Sequence, residues 1–284
     1  MHNFAAVFLD LCMEEGLVSV IIPTYNTGKL LGDCLDSILA QTYRDLEIVI
    51  TDDHSSDPLT ISILKAFEEK DKRVRICWLP ENGGAGKARN NSIRQARGRY
   101  IAFCDSDDVW FPDKLERQIR FMRQGGHTLV CSSYIMCDEE GGLMGIVKCP
   151  EKITYGMLKR DNKIGCLTAV YDSKPRGKFY LPTIRKRQDW AMFLNIVRQC
   201  GPAYAIKEPL ARYSVRQKSL SRNKFSLVKY NISVYNKILG FSRLGSLLYF
   251  LFLFLPTHFA KVLKVMIDSR IYIKEKEKEN KQIK

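Results

Sequence analysis

Apolar residues along the first hundred positions of this chain recur with two alternating periods. Residues 18–23 (VSVIIP) are a β-branched run closed by proline and predict a buried strand. Leu30, Leu31, Cys34, Leu35, Ile38 and Leu39 then recur at the spacing of one helix face. Residues 46–51 (LEIVIT) predict a second strand. Residues 58–70 predict a second helix with Ile61, Leu64 and Phe67 on one face, and residues 74–79 a third strand. A helix over 86–96 is entered through Gly83-Gly84, and residues 100–104 give a fourth strand. Strands alternating with helices imply an α/β fold with a parallel sheet under covering helices. Such sheets bind ligands beyond the carboxyl ends of their strands.

The alternation weakens after residue 125. Residues 128–136 predict a strand, Gly141-Gly142 the turn of a meander, and residues 188–199 a helix. From Phe225 the pattern is helical, with Phe225, Val228, Ile232, Tyr235 and Leu239 on one face. Residues 247–255 (LLYFLFLFL) are nine consecutive apolar positions closed by Pro256. A membrane-spanning helix needs about 20 residues, so this run is too short by itself. Phe259, Val262, Leu263, Met266 and Ile267 form a further face, with Lys261, Lys264 and Asp268 elsewhere, and residues 274–284 are a solvated charge run.

Charge separates the two parts. The chain of 284 residues has a net charge of +14, yet residues 201–284 carry 17 Lys and Arg against 5 Asp and Glu, while the first 200 are nearly balanced, 28 against 26. A nucleic-acid domain is basic on its folded face; a basic tail beside apolar segments points first to a membrane surface. No nucleic-acid partner is therefore expected. The nine cysteines form no C-x-x-C pair and the four histidines are scattered. That usage argues against a zinc site or a disulfide framework and for a reducing compartment. Residues 1–15 lack a basic n-region and carry Asp10, Glu14 and Glu15, so they make a poor signal peptide. Met13 offers an alternative start just before the first strand.

Unusual polar residues follow each strand: Pro23-Thr24-Tyr25-Asn26, then Asp52-Asp53-His54-Ser55-Ser56-Asp57, then Asn82-Gly83-Gly84 with Lys87, Arg89 and Asn90, then Asp105-Ser106-Asp107-Asp108. Three carboxylates within four residues repel one another unless a cation neutralises them. Mg²⁺ or Mn²⁺ does so while leaving positions open for phosphate oxygens; a solvated acidic turn is the plain alternative. Gly83-Gly84-Ala85-Gly86-Lys87 fails as a P-loop, because Glu81 stands in place of the first Gly and Ala88 in place of the Ser/Thr that would hold Mg²⁺. It also fails as a dinucleotide fingerprint, because it does not follow the first strand. Ser55, Ser56 and Asp57-Pro58 suffice to start the second helix, which leaves Asp52 and Asp53 as spare carboxylates for a base or ribose. Asp189, in Gln188-Asp189-Trp190, reads by itself as a helix N-cap.

Together, VSVIIPTYN, LEIVITDDHSSD, NGGAGKARNNSIRQARGRYIAFCDSDD with VWFPDKLERQ, and QDWAMFLNI resemble the family 2 glycosyltransferases. The resemblance runs nearly unbroken from Val18 to about Gln124, resumes at 187–196 and continues loosely to Asn223. It implies a GT-A type fold, a Rossmann-like central mixed sheet flanked by helices, here with a helical C-terminal extension. The expected divisions are an N-terminal extension (1–17), a glycosyltransferase domain (18–224, with a nucleotide half 18–124 and an acceptor half 125–224), and a basic amphipathic tail (225–284). The resemblance implies nucleotide-sugar contacts at Pro23, Thr24, Tyr25, Asp52 and Asp53, and at Asn82, Arg89, Asp105 and Ser106. It implies Asp107 as metal ligand with Asp105 supporting, and Asp189 as catalytic base. Residues 213–224 resemble a loop that closes over the diphosphate. Departures are Gln188 where Glu is usual, His54 where a small residue is common, and Ser214 where the loop often has Arg, which leaves Arg212, Arg216 and Lys218 as substitutes.

The expected reaction is inverting transfer from a nucleotide-sugar, by resemblance a UDP-sugar, to an acceptor hydroxyl on a lipid-linked or growing surface polysaccharide, assisted by Mg²⁺ or Mn²⁺. The tail places the expected protein in the cytoplasm, peripherally on the inner face of the cell membrane. Two rivals are a catalytically silent nucleotide-sugar-binding protein, expected to lack Asp107 or Asp189, and a nucleotidyltransferase, expected to carry a Gly-rich basic loop after the first strand.

Overall fold

The computed structural model describes residues 14–215 and 224–282. Met13 as a start, and Arg216 and Lys218 of the expected closing loop, lie outside the described residues. The nucleotide half runs β1 (Glu14–Thr24), α1 (Leu30–Leu39), β2 (Leu46–Asp52), α2 (Pro58–Lys70), β3 (Val74–Trp78), α3 (Ala85–Gln95) and β4 (Gly98–Phe103). These bounds match the periodicity to within a few residues, β1 starting earlier than expected because Glu14 already pairs with Gly98 of β4. Then come β5 (Val109–Trp110), α4 (Lys114–Gly125), β6 (Leu129–Cys137), β7 (Leu143–Val147), β8 (Lys152–Ile153), α5 (Tyr155–Arg160), β9 (Val170–Asp172), α6 (Gln188–Cys200) and β10 (Ala203–Ser214). The C-terminal helices are α7 (Lys224–Ser233), α8 (Arg243–Tyr249) and α9 (Leu255–Gln282).

Ten strands among the described residues form one mixed sheet in the order β3-β2-β1-β4-β9-β6-β10-β5, with β7 on β6 and β8 on β10. β1 is parallel to β2 and β4, whereas β9 runs antiparallel to β4 and β6. The chain reaches β2 and β3 on one side of β1 and β4 on the other, so a crevice opens between the carboxyl ends of β1 and β4. Alternation along β1 feeds both faces: Val18, Val20 and Ile22 pack with α1 and α4, while Ile21 packs with α3 and α6.

The C-terminal helices are not a separate unit. Val234, Tyr235, Phe250 and Phe254 are buried in the same core as Ile21 and Phe103, and Trp190 of α6 packs on Tyr235 and Phe254 with ring centroids 5.8 and 5.9 Å away. A division at residue 224 therefore does not follow the packing. The apolar run 247–255, closed by Pro256 in the sequence, does not stand by itself, because the helix runs on past the proline. Phe250–Phe254 is a π-helical turn, and the chain continues helically through the proline. Proline lacks the N–H of one helical bond, and a π turn just before it absorbs the mismatch. A second π turn, Val234–Ile238, breaks the single face expected from Phe225 to Leu239.

Candidate active site

The four polar segments meet at the carboxyl ends of β1, β2 and β4 and at the start of α3. Pro23 and Thr24 are buried at the end of β1, while Tyr25 is 50% exposed, an aromatic face open to a flat ligand. Thr24 and Thr27 share a hydroxyl hydrogen bond of 3.0 Å, and Thr27 shares another of 2.8 Å with Ser106. This chain fastens the β1 turn to the acidic turn across the crevice. Thr27 carried no signal in the sequence, because its role appears only once β1 and β4 are neighbours.

Neither carboxylate of Asp52-Asp53 is spare, which corrects the sequence-based reading. Asp52 accepts from the backbone N–H of Ser55 at 2.8 Å and from its hydroxyl at 2.5 Å. Asp53 accepts from the N–H groups of Gly83 and Gly84, both at 2.7 Å, and its carbonyl accepts from the Asn82 amide at 3.0 Å. Asp53 thus shapes the turn that opens α3. The cap of α2 falls to Asp57, whose side chain accepts from Thr60 N–H at 3.0 Å. His54 sits at φ 66°, a region that favours residues without a β-carbon, so the structure explains why a small residue suits that position. Lys87 turns outward to Glu81.

Arg89 is the hinge of the site. Its guanidinium donates to the carboxylate of Asp105, and its Nε has no hydrogen-bond partner. Burial works against its charge, but the negative charges of Asp105 and then Asp189 hold it firmly protonated. Asp189 of α6 belongs to the same charged neighbourhood as Arg89. The approach of the two helices requires Gly86: a β-carbon there would stand 2.2 Å from the Gln188 side chain. Asp189 is not the N-cap. Arg187 holds that position at φ 66° with no capping side chain, and Asp189 lies in the first turn. Its carboxylate instead accepts from the amide of Asn162 at 3.2 Å. Asn162 went unnoticed in the sequence, for it lies in an irregular turn without periodicity or motif.

The acidic turn divides its labour. Asp105 and Asp107 are partly exposed, whereas Asp108 is buried and accepts from Ser214 N–H at 3.1 Å. Burial, then the charges of Asp105 and Asp107, push the Asp108 carboxyl well above the usual carboxylate range. Lys114 is buried with Nζ 3.7 Å from the centre of the Trp110 ring, and burial pulls its amine down to about 7. Ser214, at the expected Arg position, uses its hydroxyl on the Asp107 carbonyl. Asp105 and Asp107 are the two partly exposed carboxylates of the turn, with Asp105 paired to Arg89. No three His, Cys, Asp or Glu side chains among the described residues converge into a closed cage. An oxygen-only, incomplete ligand set fits Mg²⁺ or Mn²⁺, which complete their shells with phosphate oxygens and water.

The strand order and the acidic turn after β4 define a glycosyltransferase of the GT-A type. The sequence matches the family model "Glycosyl transferase family 2" over residues 19–179, and the chain belongs to that family. The putative teichuronic acid biosynthesis glycosyltransferase TuaG of Bacillus subtilis is 39% identical over 223 residues, 78% of this chain and 88% of that protein. The UDP-Glc:alpha-D-GlcNAc-diphosphoundecaprenol beta-1,3-glucosyltransferase WfgD of Escherichia coli is 34% identical over 218 residues, 76% of this chain and 84% of that protein. Among solved structures, S. aureus TarS 1–349 in complex with UDP-GlcNAc aligns with a TM-score of 0.65 at 21% identity, over 86% of this chain and 72% of that one.

Proposed function

We propose that this glycosyltransferase transfers a sugar from a UDP-sugar, with inversion, to a hydroxyl of a lipid-linked glycan at the inner face of the cell membrane. The observation that carries the reading is the pairing of Arg89 with Asp105, beside a contact between α3 and α6 so close that a β-carbon at Gly86 would meet Gln188, the neighbour of Asp189. It supports a leaving-group site and a base bordering one crevice.

Tyr25 stacks on the base of the donor, and Pro23, Thr24 and Asp52 line its ribose and base side. Asn82 and Ser106 border the same crevice, while Asp53 acts through the glycine turn it holds. Arg89 steadies Asp105 and adds positive charge beside the diphosphate. Asp107, supported by Asp105, would hold Mg²⁺ or Mn²⁺, which supplies positive charge to the departing diphosphate. Asp189 accepts the proton of the acceptor hydroxyl as its oxygen bonds to the anomeric carbon. The bond from that carbon to the diphosphate oxygen breaks in the same displacement. Its electron pair leaves with UDP, and the configuration inverts.

The acceptor class rests on the C-terminal helices and on the relative WfgD, a glucosyltransferase acting on alpha-D-GlcNAc-diphosphoundecaprenol. Arg243–Glu279 is one helical stretch that contains an 18-residue window of mean hydropathy 1.6, long and apolar enough to cross a membrane by length and composition. It is also fastened along the domain. Ser269 donates to the Ile146 carbonyl at 3.3 Å and accepts from its N–H at 3.0 Å, and Lys148 pairs with Asp268 at 3.2 Å. A helix tied to the domain by its polar face, with Phe252 71% and Phe259 66% exposed, suits lying in the interface rather than spanning it.

A panel of UDP-glucose, UDP-galactose and UDP-GlcNAc, with GDP-mannose as control, tests the donor class by nucleotide released in Mn²⁺. Turnover of one UDP-sugar that stops with EDTA is expected. Release only from GDP-mannose, or release indifferent to EDTA, would overturn the donor or metal assignment.

A further inference from the structure

The turn after α5 joins the C-terminal helix to Asp189. Asn162 makes three contacts there. Its Oδ1 accepts from Ile164 N–H at 3.1 Å, which fixes the amide orientation and leaves Nδ2 to donate to Asp189 Oδ2 at 3.2 Å. Its backbone carbonyl accepts from Lys261 Nζ of α9 at 2.5 Å. The preceding residue secures the same junction. Asp161 is 4% exposed, and one of its oxygens lies 3.3 Å from Lys261 Nζ, 3.6 Å from Lys163 Nζ and 3.6 Å from His258 Nδ1.

We propose that Asn162 is a positioning residue for Asp189, and that α9 sets its placement through Lys261. The proposal rests on reading Asp189 as the base. A carboxylate that must meet an incoming hydroxyl gains from a fixed rotamer, and an amide whose other end is tied to the backbone supplies one. Displacement by about 1 Å can cost up to 10²-fold in rate. The arrangement makes the helix that carries the exposed apolar face part of the support of the reacting group, so docking and catalysis share one strut.

The test measures UDP-sugar hydrolysis by the full-length protein, using the donor that turns over in Mn²⁺, with UDP affinity by calorimetry and folding by thermal melting. N162D keeps the size and the Ile164 bond but puts a charge where the donor stood. N162A removes both side-chain bonds. K261M keeps the aliphatic stem and loses the clamp, and R270M removes an exposed cation elsewhere on α9. Expected are falls in kcat of about 10-fold or more for N162D and N162A and about 3-fold for K261M, with donor KM and UDP affinity within about 2-fold. R270M stays at the wild-type rate. Because Lys261 acts through Asn162, the double variant N162A/K261M is no slower than N162A alone. Wild-type kcat in folded N162D, equal losses in K261M and R270M, or additive losses in the double variant would overturn the link. If N162A does not fold, N162D and K261M still decide. D189N separates the two readings: an active D189N means the base assignment itself is wrong, whereas an inactive D189N with an unaffected N162D removes only the positioning role.

Discussion

Helices α1 and α9 treat their apolar faces in opposite ways. Helix α1 buries Leu31, Cys34, Leu35 and Ile38 against the sheet and gives Asp33 and Asp36 to water. Helix α9 turns Lys261, Asp268 and Ser269 toward the domain and leaves Phe259, Leu263, Met266 and Ile267 half or more exposed. The first arrangement is hydrophobic burial, worth about 1.5–3 kcal/mol for each large side chain removed from water. The second spends specific polar contacts to hold an apolar surface outward, which makes sense for a helix that meets lipid. In the proposed reading one region builds the donor crevice and the other presents it to a surface, with Asp189 where they join.

That contrast can be broken at either end. In the nucleotide half, Asp107→Ala keeps the backbone carbonyl that Ser214 uses but removes the carboxylate proposed to hold the metal. Metal-dependent turnover should fall by about 10³-fold or more, read as UDP released with and without EDTA. In the C-terminal region, Asp161→Asn takes the carboxylate away from Lys261, Lys163 and His258. Burial alone would raise the Asp161 pKa, but His258, Lys261 and Lys163 bring it below the ordinary value. The stability this supplies is present above the unfolded carboxylate pKa, about 4, and is lost as pH falls through the folded value. The variant should be less stable by about 3 kcal/mol at neutral pH, and denaturant melts should show the gap closing as pH falls below about 4. The smallest effect on the fold is expected for Leu263→Glu with Ile267→Glu, within about 0.5 kcal/mol of wild type. The pair should nonetheless abolish flotation with anionic liposomes. Truncation at residue 241 is a poorer probe, because it strips Phe250 and Phe254 from the core.

Much of the donor half was legible because its signals are local. A β-branched run followed by a polar strand end needs no distant partner to be read, and β1 to β4 fall where the periods put them. The misreadings share a different cause. Asp52 and Asp53 looked spare because Ser55 and the N–H groups of Gly83 and Gly84 carry no sequence signature as donors. Asp189 looked like a cap because an acidic residue at a helix start usually is one, and its real partner lies 27 positions away. The π turn that lets the helix continue through Pro256 is invisible to a regular 3.6-residue count. Asn162 had no signal at all: its importance comes from three elements that meet only in the folded chain.

The account stands most directly on the role of Asp189. Asp189→Asn keeps the size of the side chain and an oxygen to accept from Asn162, but removes the proton acceptor. Hydrolysis of the accepted UDP-sugar, measured beside calorimetric binding of UDP with Mn²⁺, tests it. The account predicts a rate loss of about 10²–10⁴-fold with UDP affinity and melting temperature unchanged. A folded variant that binds UDP and turns over at the wild-type rate would contradict it.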